Sequence, residues 1–264
     1  MSANLPPGRA GGDDSAGRVA IVTGVSRRAG IGFAIAQRLL ADGLNLLIHS
    51  WAPHDAVQPH GADPVIEALG GLGPRLDHLE ADFEDPAAPG RVVTRAIETY
   101  GALDVLIANH AHSSAQTLEQ LSVGELDRAW AVNTRAVVLL VQAFAARHDD
   151  ARPDGRVVLF TSGQHLGPMA AELPYVISKG AVHQMTASLA DALAGRGVTV
   201  NTINPGPVDS GWPSQERREL GALSFPGGRW GRPEDIAAVV GWLASSDAGW
   251  ITGQVINAEG GFRR

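Results

Sequence analysis

Val19-Ala20-Ile21-Val22-Thr23-Gly24-Val25-Ser26-Arg27-Arg28-Ala29-Gly30-Ile31-Gly32 is the stretch on which the reading of this chain turns. Val19–Val22 is an unbroken apolar run, the pattern of a strand buried on both faces of a parallel sheet. Ile31, Ile35 and Leu39 then recur at four-residue spacing, the period of one helix face. Between them lie glycines at 24, 30 and 32. Strand, glycine turn and helix in immediate succession let the backbone approach a pyrophosphate closely. The free N–H groups and partial positive charge of the helix start then face the phosphates. A glycine cluster alone can be a plain strand-to-helix turn; coming after the first strand of an alternating chain, it reads as a nucleotide site.

Outward from this stretch, the alternation continues. Short Val/Ile/Leu-rich runs at Leu44–Ile48, Leu103–Ala108, Val157–Phe160 and Val198–Ile203 read as strands, with weaker ones at Leu76–Ala81 and Gln254–Asn257. Helical patterns separate them, including a long one from Ser122 to about Arg147 and another from Pro174 to Gly195 or Gly197. Such alternation predicts an α/β fold with a doubly wound parallel sheet in one domain spanning 18–264. Residues 1–17 are Gly/Pro/Asp-rich and read as a loose tail. Two irregular stretches interrupt the pattern. Trp51 to Gly73 has several prolines around one short helix, and 207–231 contains a short helix around Gln215–Leu220. Long irregular segments inside a compact domain are often binding loops.

Composition removes several functions. The chain of 264 residues has no cysteine, which excludes disulfides, thiol catalysis and thiolate metal sites. A net charge of −7 argues against a nucleic-acid partner. Apolar runs such as Ile236–Ala244 fall short of a membrane span. The chain is therefore expected to be cytoplasmic, with neither membrane nor nucleic acid as a partner.

An NAD-preferring site places Asp or Glu at the end of the second strand to hold the ribose 2′-hydroxyl. Here that strand ends Leu47-Ile48-His49-Ser50-Trp51, without an acid. Arg27 and Arg28 sit in the glycine loop, and guanidinium groups suit a 2′-phosphate. The cofactor expected is NADP(H).

A second motif concerns chemistry. Of the 21 basic residues, 20 are arginine, and the single lysine is Lys179. Tyr175-Val176-Ile177-Ser178-Lys179 sets a phenol and that lone ammonium at i and i+4, neighbours on one helix face. An adjacent cation stabilises a phenolate and would bring the phenol's pKa, about 10 when free, toward the working range. Ser162 ends the preceding strand, where α/β sheets collect their active sites, and its hydroxyl can bond a substrate carbonyl.

Thr23-Gly24…Gly30-Ile31-Gly32, Asp82, Asn109-His110-Ala111, Asn133, Ser162, Tyr175-x-x-x-Lys179, Pro205-Gly206 and Gly260-Gly261 occur in that order. Together they resemble the short-chain dehydrogenase/reductases over essentially all of 18–264, and bacterial proteins similar to 3-oxoacyl-acyl-carrier-protein reductase most of all. The resemblance implies a Rossmann-type sheet of about seven parallel strands and a homotetramer or homodimer. It implies a catalytic set of Asn133, Ser162, Tyr175 and Lys179. Tyr175 would protonate the reduced carbonyl and Ser162 would orient it. Lys179 would hold the nicotinamide ribose, and Asn133 would anchor a water. Cofactor contacts would come from Gly24, Ser26, Arg27, Arg28, Gly30, Ile31, Gly32, Ser50, Asp82, Phe83, Asn109, Tyr175, Lys179, Pro205, Gly206, Val208 and Ser210. Ser162, Gln164, Tyr175 and Trp212 would line the substrate pocket. There are departures. The glycine loop is two residues longer than the family's TGxxxGxG, Asn109-His110-Ala111 replaces part of NNAG, and Glu259 stands for aspartate.

The activity expected is hydride transfer between NADP(H) and a ketone or secondary alcohol, a 3-oxoacyl thioester among them. For a carrier-bound substrate Arg135 and the Arg217/Arg218 pair are candidate contacts. The alternatives are a catalytically idle NADP(H)-binding sensor or scaffold, and enoyl reduction, whose branch of the family separates tyrosine and lysine by six residues. His110 and His112 invite a metal, but without a nearby third ligand they read as pocket-lining or solvated, and no metal is expected.

Overall fold

The computed structural model describes residues 17–56, 63–73, 75–152, 154–211, 219 and 221–264. Trp212, Arg217, Arg218 and most of the helix expected around Gln215–Leu220 lie outside the described residues, as does nearly all of the tail.

Seven strands form one parallel sheet: β1 (Val19–Thr23), β2 (Asn45–Ser50), β3 (Leu76–Glu80), β4 (Val105–Ala108), β5 (Gly155–Phe160), β6 (Val198–Asn204) and β7 (Val255–Asn257). Their order is β3-β2-β1-β4-β5-β6-β7. The chain thus winds outward from β1 in one direction and then, from β4, in the other. The crevice between the carboxyl ends of β1 and β4, where the order reverses, is where a doubly wound sheet binds its ligand.

Each face of the sheet has its own core. Val19, Ile21, Leu106 and Val157 face α4 (Ala88–Tyr100), α6 (Ala136–Arg147) and α7 (Leu173–Ala194), meeting Val92, Leu140, Phe144 and Val182. Ala20, Val22, Val105 and Val158 face α1 (Ile31–Ala41) and α8 (Pro233–Ala244), meeting Ile35, Leu39, Ile236 and Val240. Alternation along a strand thus serves two apolar layers, which is why these strands read as continuous apolar runs. Each buried Leu or Ile contributes about 1.5–3 kcal/mol of transfer free energy.

The segment after β2 holds two short helices rather than one, α2 (Ala52–Ala56) and α3 (Val65–Ala68). The long pattern from Ser122 also divides. Ser122 caps α5 (Val123–Trp130), its hydroxyl accepting from the Glu125 N–H at 3.3 Å. A π-helical turn, Ala131–Arg135, then leads into α6. By length and composition the continuous helix Val123–Arg147 could cross a membrane, contrary to the expectation that every apolar run falls short. Half of its most apolar window is buried inside the fold, so its apolarity serves the α/β core.

Candidate active site

The glycine turn closes on itself tightly. Gly24 has φ of +73°, and a Cβ there would come within 2.7 Å of the His110 Cα. A Cβ on Gly32 would overlap the Gly24 carbonyl and lie 2.8 Å from the Asn109 amide nitrogen. That Asn109 nitrogen donates to the carbonyls of Thr23 and Gly24 at 3.0 and 3.1 Å, pinning the turn to the end of β4. Gly30 precedes α1 without a side-chain cap, and the first turn of α1 has no acid. This bare helix start and close-packed glycine turn fit the phosphates of a dinucleotide.

Below the turn lies a layer of buried histidines. His49 Nε2 donates to the Ala81 carbonyl at 2.8 Å, so its Nδ1 faces the Gly24 N–H, 3.4 Å away, as an acceptor. His110 Nε2 donates to the Val132 carbonyl at 3.0 Å, and its Nδ1 accepts the Thr23 hydroxyl at 2.7 Å. Phe83 stacks on His49 at 4.0 Å between ring centroids and tilts onto His110 at 4.3 Å. Burial pushes His49 down to about 4 and His110 well below its ordinary value. His110 is therefore neither pocket-lining nor solvated. It is a structural link between β1 and the π turn. His112 pairs with Glu125 at 2.6 Å and is likewise engaged.

Further out, Ser50 exchanges a hydrogen bond with His78 at 2.8 Å, and Asp82 accepts from the Glu84 N–H at 2.8 Å. Ser26 and Ile31 are half-buried in the loop. The two arginines differ. Arg28 is exposed and its Nε donates to Asp63 at 2.6 Å. Arg27 is half-buried; burial lowers its pKa, against the attraction of Asp55 and Asp63. No acid ends β2, but the segment after it brings two carboxylates to the arginines. Sequence order could not show this.

Asn133 sits in the π turn, a distortion that recurs at functional sites. Its carbonyl oxygen accepts the His112 N–H at 2.7 Å, and its nitrogen donates to the His112 carbonyl at 2.9 Å and to Ser178 at 3.0 Å. Thr134 donates to the Ser178 carbonyl at 3.0 Å, so the turn is bolted to α7.

Helix α7 carries Tyr175 and Lys179. The Lys179 side chain is 2% exposed, and its Nζ donates to the Phe160 carbonyl at 2.9 Å, 5.9 Å from the Tyr175 ring centroid. Burial lowers its pKa to about 8. Burial also pushes the Tyr175 phenol up to about 12; a hydrogen bond with Ser162 opposes the rise and the Glu172 carboxylate adds to it. At this phenol desolvation dominates and the Lys179 ammonium is not among the causes of the shift, so the group is held protonated at neutral pH rather than drawn toward 7.

After Ser162, Gln164 donates to Thr161 Oγ1 at 3.0 Å, and Thr161 in turn donates to the Lys179 carbonyl. This fixes the amide's orientation and leaves its buried carbonyl oxygen without a partner among the described residues. Pro205-Gly206 follows β6, with the Gly206 N–H donating to Asn204 at 3.1 Å. Val208 bridges to Gly231, and the Ser210 N–H donates to the Val208 carbonyl at 2.9 Å. Arg135 is turned to the Glu84 carbonyl at 2.5 Å.

Crevice, glycine turn and the Ser–Tyr–Lys group define a nicotinamide-dinucleotide oxidoreductase. Comparison with known proteins agrees. Residues 24–263 match a family model described as enoyl-(acyl carrier protein) reductase. An oxidoreductase of Bacillus subtilis is 37% identical over 94% of this chain and 97% of its own length. L-Rhamnose 1-dehydrogenase (NADP(+)) of Thermoplasma acidophilum is 32% identical over 94% and 97%. A blue fluorescent protein from a metagenomic library, solved in complex with NADPH, superposes with a TM-score of 0.81 at 32% identity, covering 94% of this chain and 99% of that one. The chain belongs to the short-chain dehydrogenase/reductases, a family of oxidoreductases that use a nicotinamide cofactor.

Proposed function

We propose that this protein is a cytoplasmic NADP(H)-dependent reductase of ketones, running in reverse on secondary alcohols. The observation that carries the reading is the trio just after β5 and on α7, half-buried Ser162 and Tyr175 over fully buried Lys179. Tyr175 is held protonated and hydrogen-bonded to Ser162, and the chain's one lysine lies beneath its ring. The glycine turn, α1 start and Arg27 would hold NADPH, which when bound would supply the hydride. Ser162 donates to the carbonyl oxygen and orients it. Tyr175 gives that oxygen its proton, and the Lys179 ammonium stabilises the phenolate left behind. Asn133, clamped to the His112 backbone, anchors the path by which Tyr175 recovers its proton. The unpartnered Gln164 oxygen favours a substrate carrying a hydroxyl or other donor near the carbonyl.

NADP(H) is supported by Arg27 beside the glycine turn and by the acid-free end of β2. Ketone rather than enoyl reduction is supported by the four-residue spacing of Tyr175 and Lys179. A 3-oxoacyl thioester belongs to the ketone class to be tested, although Arg135 is engaged with Glu84. A homodimer or homotetramer is supported by exposed Trp130, Val138 and Ile177 on α5, α6 and α7; light scattering of the purified protein tests it.

The deciding experiment titrates NADPH and NADH by fluorescence and screens hydroxyketones, simple ketones and 3-oxoacyl thioesters for NADPH oxidation. Tighter NADPH binding with turnover on a ketone is the expected result. Binding without turnover on any carbonyl would make the protein a sensor or scaffold; equal affinities would remove the arginine argument.

A further inference from the structure

Gly163 and Gly167 flank the short turn after Ser162, and neither has a positive φ, so backbone conformation does not explain them. A side chain does. A Cβ on Gly163 would overlap the Arg264 guanidinium, and one on Gly167 would lie 2.6 Å from the Arg264 Cδ. Arg264 lies along this loop because Glu259 holds it: its Nη1 and Nη2 donate to the two Glu259 oxygens at 2.8 and 2.7 Å, a bidentate fork.

Glu259 is itself fixed. Its side chain is 6% exposed, and its carboxylate also accepts from the Asn204 amide at the end of β6. Burial works to raise its pKa, yet Arg264 and Asn204 together hold it below the ordinary carboxylate value. Its stem closes over the other wall of the cleft, where a Cβ on Gly206 would lie 2.8 Å from the Glu259 Cβ. One ion pair therefore touches both the Pro205-Gly206 turn and the Ser162 loop.

We infer that Glu259 and Arg264 form a strut that sets the gap between the Pro205-Gly206 turn, an expected cofactor contact, and the carbonyl-orienting Ser162 loop. Both are positioning residues that act through Ser162 and Gly206. A bidentate pair suits the task because it fixes angle as well as length, and a reacting carbonyl is sensitive to misplacement by even 1 Å. Gly163 and Gly167 are the complement of the strut: they are small so that Arg264 can pass. The inference rests on the reductase reading for the identity of what is positioned, and on contacts alone for the strut.

The test exploits the size complementarity. Arg264→Ala is expected to lower kcat about tenfold and raise the substrate KM, with NADPH affinity nearly unchanged, and Arg264→Lys should recover part of the loss. Gly163→Ala should be damaging in the wild-type background and add nothing once Arg264→Ala has cleared the space. Equal damage from Gly163→Ala in both backgrounds, or unchanged kcat and KM in Arg264→Ala, would overturn the strut. Should Arg264→Ala not fold, Glu259→Gln takes its place, since it keeps the Asn204 contact and removes the charge. Should the wild-type protein turn over no carbonyl, the reductase reading falls separately. The strut is then judged by hydrogen exchange of the 163–167 amides, which must quicken in Arg264→Ala; unchanged exchange refutes it.

Discussion

The two sides of the crevice bury titratable groups in opposite ways. On the β1–β3 side, His49 and His110 engage both ring nitrogens with fixed partners, from Gly24 and Ala81 to Thr23 and Val132. Every donor there meets an acceptor only while both rings are neutral. On the β5–β6 side, Lys179 has three N–H donors, and the one bond described goes to the Phe160 carbonyl. Its neighbour Tyr175 is displaced to about 12. Lys179 is as deeply buried as either histidine, so depth does not separate chemistry from architecture. Saturation does: the histidine layer is complete within the chain, whereas the lysine and phenol retain capacity for something brought to them.

The sharpest way to break the comparison is on the reaction side. Tyr175→Phe should reduce turnover by about 10²–10⁴-fold, the usual worth of a positioned acid, while leaving NADPH binding close to intact. Lys179→Met should also abolish most turnover, yet raise stability at pH 7. With the folded-state pKa lowered to about 8 from 10.5, keeping the ammonium charged inside costs up to about 3 kcal/mol. Thermal melts beside rate assays check the pair. A Lys179→Met protein that melts lower would mean the lysine is structural after all. In the wild type, reduction should hold steady below pH 8 and decline above it as the ammonium is lost; a rate flat to pH 10 would contradict this assignment.

A smaller effect is expected on the histidine side, and it should fall on stability. Depressed pKa values mean that the unfolded chain takes up protons first as pH drops. The stabilisation is full above about 6.5 and erodes between there and about 4, the value for folded His49. That residue alone accounts for about 3 kcal/mol across this window. Replacing it in His49→Phe, which keeps a ring against Phe83, should flatten the acid limb of a urea-denaturation series between pH 6.5 and 4.5. An unchanged limb would show that His49 is not the group responsible.

The same contrast explains what could be read in the sequence. The central strands were legible because burial on both faces leaves a continuous apolar run, as at Ile21 and Val22, whereas partly exposed β3 and β7 gave weaker signals. Tyr175 and Lys179 were legible because one helix turn joins them. The histidine links were not, since His110 meets Thr23 and Val132 through three separate elements, and its neighbours in sequence say nothing of either. The direction of the Tyr175 shift was not legible because i and i+4 spacing reveals the cation but not the desolvation that dominates the phenol. Likewise, the end of β2 lacks an acid in sequence, while Asp55 and Asp63 return to the arginines through folding.

Those carboxylates give the smallest expected effect. Asp63 accepts the Arg28 backbone N–H at 2.8 Å and its Nε at 2.6 Å, and both Asp63 and Asp55 act on Arg27. The Arg28 side chain is 60% exposed, so losing this ion pair should cost at most about 1 kcal/mol of stability. A bound 2′-phosphate would feel the change differently. Asp63→Asn keeps an oxygen for the backbone N–H but removes one negative charge from beside the arginines. NADPH carries the extra phosphate and NADH does not, so only the former gains. The ratio of the two dissociation constants should shift about three- to tenfold toward NADPH at low ionic strength, and the gain should shrink at about 0.5 M salt, where screening reaches only a few ångströms. Fluorescence titration of both cofactors at the two salt levels measures this directly. If NADPH and NADH tighten or weaken together, Asp63 merely braces the loop and the arginines do not read the 2′-phosphate.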